Sequence, residues 1–183
     1  MDKTLFFGYG AYRDKERIEV ILRISGFTGD DLTIEGGFGA RIDGYILAIQ
    51  NLQQIPEASR ESLSKAWGGN FRCYTIKAGV GQVAGVLWAL SEKQFKAVKE
   101  WECDGIWREF VEVEVITTDQ HKLKALADKA INDNEVVQIV DGLNYESNLN
   151  LEGMKKPTYN NDEYRIKELQ DIRLELDKYK PNP

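Results

Sequence analysis

A chain of 183 residues, 42% hydrophobic and 30% charged, has the material for one folded domain with a substantial core. Its 24 Lys and Arg stand against 30 Asp and Glu, and a net charge of −6 argues against a phosphate-tracking surface, so nucleic acid is not an expected partner. No leader pattern opens the chain and no apolar run approaches the ~20 residues of a membrane span, so the expectation is a cytoplasmic protein with no membrane partner.

In chain order, TLFFGY reads as a short buried strand and GYGAYRD as a turn that leads into a helix. Asp14 is placed to cap that helix, Ile18, Ile21 and Leu22 supply its apolar stripe, and Gly26 is placed to end it. Residues 36–49, GGFGARIDGYILAI, read as a second strand with a glycine-loosened approach. The polar NLQQIPEASRESLSKAWGG is a long connection with one or two helical turns after Pro56, of the kind that serves as a lid or rim. FRCYTIKA alternates like a strand, GVGQ supplies a turn, and QVAGVLWAL is apolar enough for burial on both faces, so a hairpin into the core is expected.

SEKQ then opens a helix with a capping box, the Ser91 hydroxyl and the Gln94 amide each satisfying the other's backbone donor. The helix runs to about Glu102. After a turn at CDG, WREFVEVEVI sets Val111, Val113 and Val115 against Glu112 and Glu114, a strand with one buried face and one wet face. KLKALADKAI suits a helix by propensity and a strand by its alternation of Leu123, Ala125 and Ala127, and both readings stay open. From Asn160, the spacing of Ile166, Leu169, Ile172 and Leu176 predicts a terminal helix that stops near Pro181. No repeat or linker divides the chain, so residues 1–183 read as a single domain, with 121–183 as its C-terminal part including the terminal helix.

Absences narrow the chemistry. The one histidine, His121, lies in the polar stretch TTDQHK and reads as solvated, and a Ser-His-Asp or Cys-His machine would have to depend on that one loop residue. Cys73 and Cys103 lack zinc-site spacing, are too few for a disulfide framework and read as buried thiols. There is no HExxH, no His/Cys cluster and no EF-hand pattern, so a metal is not implied.

One residue breaks the pattern of charges kept in water. Phe95, Val98 and Glu102 follow one another at helical spacing, so the carboxylate of Glu102 stands where a core residue belongs, with Trp101, Ile106 and Trp107 around it in WECDGIWR. A glutamate taken from water without partners either finds donors or raises its pKa, and a carboxylate beside indoles is the arrangement that suits proton transfer near neutral pH. The plainer alternative is a structural glutamate at a helix end, paired with Arg108. The loop GYGAYR begins like a GxGxxG dinucleotide loop but carries Arg13 in place of the last glycine. What it offers is a run of backbone N–H groups ahead of a helix, able to hold a carboxylate or an oxyanion.

Taken together, the opening strand with its aromatic glycine loop, GARIDGYILAI, WGGNFRCYTIKAGVGQVAGVLWALSEKQF and a helix ending in a glutamate before an aromatic-Arg strand resemble the γ-glutamyl cyclotransferase superfamily. The likeness covers Leu5 to about Ile116 and continues loosely through YESNLNLEGMKKPTYNNDEY. The resemblance implies an α+β fold, a small mixed or antiparallel β-barrel with surrounding helices, and a cavity at one end. It implies cleavage of a γ-glutamyl amide by the substrate's own α-amino group, releasing 5-oxoproline and a free amine without a cofactor. The family's catalytic glutamate falls on Glu102, and its substrate loop on Tyr9, Gly10, Ala11 and Tyr12. Trp107 joins Tyr9 and Tyr12 as an expected pocket wall, while Tyr145 and Tyr159 of the C-terminal segment are not counted among the site residues. Where the family loop reads Tyr-Gly-Ser-Asn, this chain has Ala11 and Tyr12, and Cys103 stands in place of the glycine after the glutamate. The implied partner is a small γ-glutamyl molecule. A relative of the same fold that binds a small ligand without catalysis is the alternative, and a Cys103 nucleophile beside Glu102 ranks behind both.

Overall fold

Alternation of apolar and polar residues builds the frame. The structure, a computed structural model, describes residues 3–136, 138–149, 170–171 and 174. Six strands and three α-helices are defined among them: β1 (Lys3–Gly8), α1 (Lys15–Ile24), β2 (Glu35–Asn51), α2 (Glu57–Trp67), β3 (Arg72–Ser91), α3 (Glu92–Trp101), β4 (Arg108–Thr117), β5 (Lys122–Ala130) and β6 (Gln138–Val140). The strands lie in the order β3-β1-β5-β4-β2-β6, and β3 also pairs with β2, which closes five strands into a barrel and leaves β6 on the outer side of β2. All pairings are antiparallel except β1 with β5, so the barrel is mixed. The α+β barrel with helices around it is the architecture expected from the sequence.

The two faces of β1 and of β3 go to different cores. Phe7, Ile42, Leu47, Ile76, Val83, Leu87, Val113, Val115, Ala125 and Ala127 form one apolar cluster drawn from all five barrel strands, with Tyr9 at its edge. Phe6, one residue out of phase with Phe7, joins Trp88 and Leu90 in a second cluster with Ile18, Ile21 and Leu22 of α1 and Phe95 and Val98 of α3. A third joins Val20 and Ile24 of α1 to Leu63, Ala66 and Trp67 of α2 and to Cys103 and Trp107.

Three expectations are corrected. GVGQ does not turn the chain: β3 runs unbroken for 20 residues and pairs along its length with β2. The glycines serve a bulge instead, since the β2 partners jump from Gln82 to Ala78 between Asp43 and Tyr45, and a Cβ on Gly81 would lie 2.8 Å from the Tyr45 carbonyl oxygen. The connection after Pro56 is a helix of 11 residues rather than one or two turns, because its packed face carries Ser59 and Ser62 beside Leu63, Ala66 and Trp67, and the serines hide the apolar stripe. The second strand extends beyond 36–49 in both directions, to Glu35 and Asn51. The open reading of KLKALADKAI closes in favour of a strand, since β4 supplies partners from Arg108↔Ala130 to Ile116↔Lys122. Gln170, Asp171 and Leu174 are helical; Tyr159 and the predicted terminal stripe of Ile166, Leu169, Ile172 and Leu176 lie outside the described residues.

Helix ends hold the positions that matter next. Asp14 is the N-cap of α1, but its side chain makes no capping bond and accepts one from Asn148 Nδ2 at 3.2 Å. Gly26, at φ +88°, ends α1 as expected: its N–H reaches the Arg23 carbonyl and Phe27 N–H reaches that of Leu22, both at 3.0 Å, a Schellman closure.

Candidate active site

The capping box fixes where α3 begins and hence where Glu102 falls. Ser91 Oγ accepts from Gln94 N–H at 3.2 Å and Gln94 Oε1 from Ser91 N–H at 2.9 Å, while the Gln94 amide also donates to the Asp31 and Thr33 carbonyls. Ten residues later the helix closes on Glu102 as C-cap, with Asp104 N–H on the Lys99 carbonyl and Cys103 N–H on that of Glu100, each at 3.1 Å. Cys103 sits at φ +54°, a conformation that favours glycine and disfavours other residues by about 1–2 kcal/mol. Phe95, Val98 and Glu102 all face inward, and Glu102 is only 9% exposed.

The glycine loop meets it from the other side. At Gly8, where β1 ends, a Cβ would lie 2.4 Å from the Tyr12 carbonyl oxygen, so only glycine lets the chain fold back this tightly. A single 3₁₀ turn, Gly10–Arg13, then brings Tyr12 round until its hydroxyl donates to Glu102 Oε1, while Trp88 Nε1 holds the Tyr12 carbonyl at 2.8 Å. Tyr9 goes deeper. Its hydroxyl donates to the Asp128 carbonyl at 2.6 Å and accepts from Arg108 Nη2 at 3.0 Å. Gly10 N–H donates to the Tyr145 hydroxyl at 3.2 Å; that hydroxyl donates to the Ala84 carbonyl at 2.6 Å, and Arg13 caps the ring with its guanidinium 4.7 Å from the centroid.

Arg108, the first residue of β4, ties these parts together. It is 3% exposed, donates through Nε and Nη2 to Asp128 Oδ2 on the neighbouring strand β5, and through Nη2 to the Tyr74 carbonyl at 3.2 Å. Its distance to Glu102 Oε2 is 3.9 Å, beyond hydrogen-bond reach. The guanidinium therefore belongs to Asp128 first, and Glu102 receives only its field. Arg108 Nη1, Asp128 Oδ1 and Trp107 Nε1 are buried with no hydrogen-bond partner among the described residues.

The titration of the cluster follows. Burial pushes Glu102 above the ordinary carboxylate range and the nearby Asp128 pushes it further, while Arg108, the Tyr12 hydroxyl and Arg17 pull it back. Burial holds the Tyr9 and Tyr12 hydroxyls well above the usual tyrosine value, with Asp128 the next cause for Tyr9 and Glu102 for Tyr12, so both stay protonated donors. Burial pushes the Cys73 thiol up to about 12, leaving no thiolate at neutral pH. Cys103 is buried with its Sγ 3.6 Å from the Trp101 carbonyl, and His121 stands at 74% exposure beside Asp119, remote from this chemistry in kind.

No family model and no curated protein matches the chain by sequence. Solved structures do match. One of a γ-glutamyl cyclotransferase aligns over 99% of this chain and 90% of its own, with a TM-score of 0.56 at 18% identity. Another, of an uncharacterized protein from Homo sapiens, aligns over 100% and 90%, with a TM-score of 0.55 at 18% identity. The chain has a γ-glutamyl cyclotransferase-like fold.

On this cyclotransferase-like fold, Glu102 and Tyr12 are brought into direct contact, and Tyr9 and Trp107 are linked to them through Arg108, whose guanidinium carbon lies 5.3 Å from the Trp107 ring. Gly10 contributes its N–H to Tyr145, and the partly buried Ala11 contributes no side-chain bond. Sequence reasoning missed Asp128. No local signal marks it: on β5 it shares its face with the exposed Lys122 and Lys124, so an acid there reads as solvated until the register with β4 sets it against Arg108. Among the described residues, no group of three or more His, Cys, Asp or Glu is arranged to hold a metal, and no helix is long and apolar enough to cross a membrane. A shallow hollow of ≈ 360 Å³ lies elsewhere, lined by Ile46, Val80, Ile139 and Leu143 among others, and shares no residue with the Glu102 cluster.

Proposed function

We propose that the chain cleaves a γ-glutamyl amide by intramolecular cyclisation, with Glu102 as general acid and base. The observation that carries this reading is the buried Glu102 carboxylate held against the glycine loop by Tyr12. In the reaction, the α-amino nitrogen of the substrate attacks its own γ-carbonyl carbon. The C–N bond of the ring forms, the C–N bond of the amide breaks, and the proton lost by the amine passes through Glu102 to the leaving nitrogen, giving 5-oxoproline and a free amine.

A free α-amino group has a pKa of about 8, so a base whose own pKa is lifted toward neutrality is better matched to it than an exposed carboxylate. Oε1 is occupied by Tyr12; Oε2 has no hydrogen bond among the described residues, and the side chain keeps 11% of its surface exposed. Oε2 is thus the oxygen offered to a substrate ammonium. The Tyr12 hydroxyl, held as a donor, stabilises the carboxylate when it is charged and is released when Glu102 takes the proton. Because nucleophile and electrophile share one molecule, holding the glutamyl chain in a folded, near-attack shape removes much of the barrier. The implied partner is a small γ-glutamyl molecule in the cytoplasm, and no step requires a cofactor.

A second reading, a binding relative without turnover, is favoured by the same Tyr12 contact, which occupies one carboxylate oxygen where the family loop has an asparagine. Incubation with a panel of γ-glutamyl amines and peptides, with 5-oxoproline measured, separates the two. The expected result is 5-oxoproline from at least one substrate and a loss of ~10²-fold or more in Glu102→Gln, the range for removal of a general base. Equal turnover in that variant ends the assignment of Glu102. Binding of a panel member with no 5-oxoproline from any establishes the second reading.

A further inference from the structure

The three helices converge on a guanidinium that the chemistry above does not use. Arg17, in the first turn of α1, lies 5.3 Å from the ring centroid of Trp67 on α2 and 5.4 Å from that of Trp101 on α3. The two indoles meet edge to face at 6.3 Å, so the guanidinium is flanked on two sides by aromatic surface. Such contacts hold the planar group in place and strip water from its faces. Among the described residues the Arg17 side chain forms no ion pair and no hydrogen bond, and its Nε is buried without a partner. The acid that feels its charge is Glu102, which has the Tyr12 hydroxyl on Oε1. Arg108, in contrast, spends its fork on Asp128.

We propose that Arg17 is an anion anchor, taking a carboxylate of the ligand on its terminal nitrogens at the edge of the Trp67–Trp101 slot, next to Glu102. A carboxylate is the matched class because its two oxygens meet a planar guanidinium side by side, and the flanking rings leave a flat approach. Trp101 immediately precedes Glu102 in the chain, and the positive charge of Arg17 acts on both Glu102 and Tyr12, so the slot and the candidate base are neighbours. The identification of the anion as the α-carboxylate of a γ-glutamyl group rests on the cyclotransferase reading. That group carries its α-amine on the same carbon, so anchoring the carboxylate at Arg17 brings the amine toward Oε2.

The test is calorimetric titration of L-5-oxoproline, its carboxamide, glutarate and inorganic phosphate into the wild type, Arg17→Gln and Arg17→Lys, with tryptophan fluorescence as a second readout at Trp67 and Trp101. The wild type is expected to bind 5-oxoproline in preference to the carboxamide. Arg17→Gln should weaken 5-oxoproline at least 10-fold and leave the carboxamide unchanged, while Arg17→Lys restores only part, since it keeps the charge and loses the fork. Undiminished carboxylate binding in Arg17→Gln overturns the anchor, as does wild type that binds no carboxylate or binds phosphate more tightly than either carboxylate. Should Arg17→Gln fail to fold, a folded Arg17→Lys with unweakened binding has the same force. Arg17-dependent glutarate binding without 5-oxoproline binding or turnover supports the anchor and removes the cyclotransferase reading. Turnover that depends on Glu102 but shows an unchanged KM in Arg17→Gln removes the anchor alone.

Discussion

Strands β4 and β5 carry carboxylate–cation pairs on two very different surfaces. On the wet side Glu112 meets Lys124 at 2.7 Å and Glu114 meets Lys122 at 2.8 Å, all four side chains being at least 60% exposed. At the other end of the same ladder, Arg108 and Asp128 pair at 3% exposure each, with Glu102 beside them. The geometry is similar and the consequence is not. Water and mobile ions screen the outer pairs, so they contribute little. The inner charges have lost their hydration, so each depends on its neighbours and responds to any change in them. Two acids then share one buried guanidinium; Asp128 holds it, and Glu102 is left with a tyrosine hydroxyl and a distant field.

This contrast breaks most visibly at Arg108. Arg108→Met is expected to destabilise the fold by about 3–5 kcal/mol in chemical denaturation, because it leaves two buried carboxylates without their cation. A loss no larger than that of an outer pair would erase the distinction. Tyr12→Phe comes next. Removing the hydroxyl from Glu102 should lower stability by about 1–3 kcal/mol above the pH at which Glu102 ionises, and by less below it, because the bond favours the charged form. Denaturation midpoints across a pH series read this directly. Lys124→Ala stands at the bottom of the scale, with no measurable change in denaturation midpoint.

How much of this was legible follows the range of the interactions. The capping box SEKQ, the Phe95–Val98–Glu102 stripe and the alternation of β4 are local patterns, and the structure reproduces them. GVGQ misled because glycines in a strand signal either a turn or a bulge, and only the partner strand decides; β2 passes the gap with Gly44 and continues. KLKALADKAI was undecided for the same reason, its strand state being set by β4. The site divides likewise. Glu102 stood out because one helix is enough to show an acid on an apolar stripe. Asp128 and Arg17 did not, since the first needs the β4–β5 register and the second needs three helices brought together before an arginine flanked by two indoles becomes visible.

The proton on Glu102 can be followed directly by the carboxyl ¹³C shift of labelled protein across a pH series, with Glu102→Gln assigning the signal. Burial and Asp128 place its folded pKa above the unfolded value of 4.5. The folded state then binds the proton more tightly, so the stabilising contribution is complete below the unfolded value and is lost as pH rises through the folded one. A midpoint above 4.5, accompanied by falling stability in the wild type and not in Glu102→Gln over that interval, is the result expected. A midpoint at or below 4.5 would mean an acid no better placed for proton transfer than those on the outer face of β4.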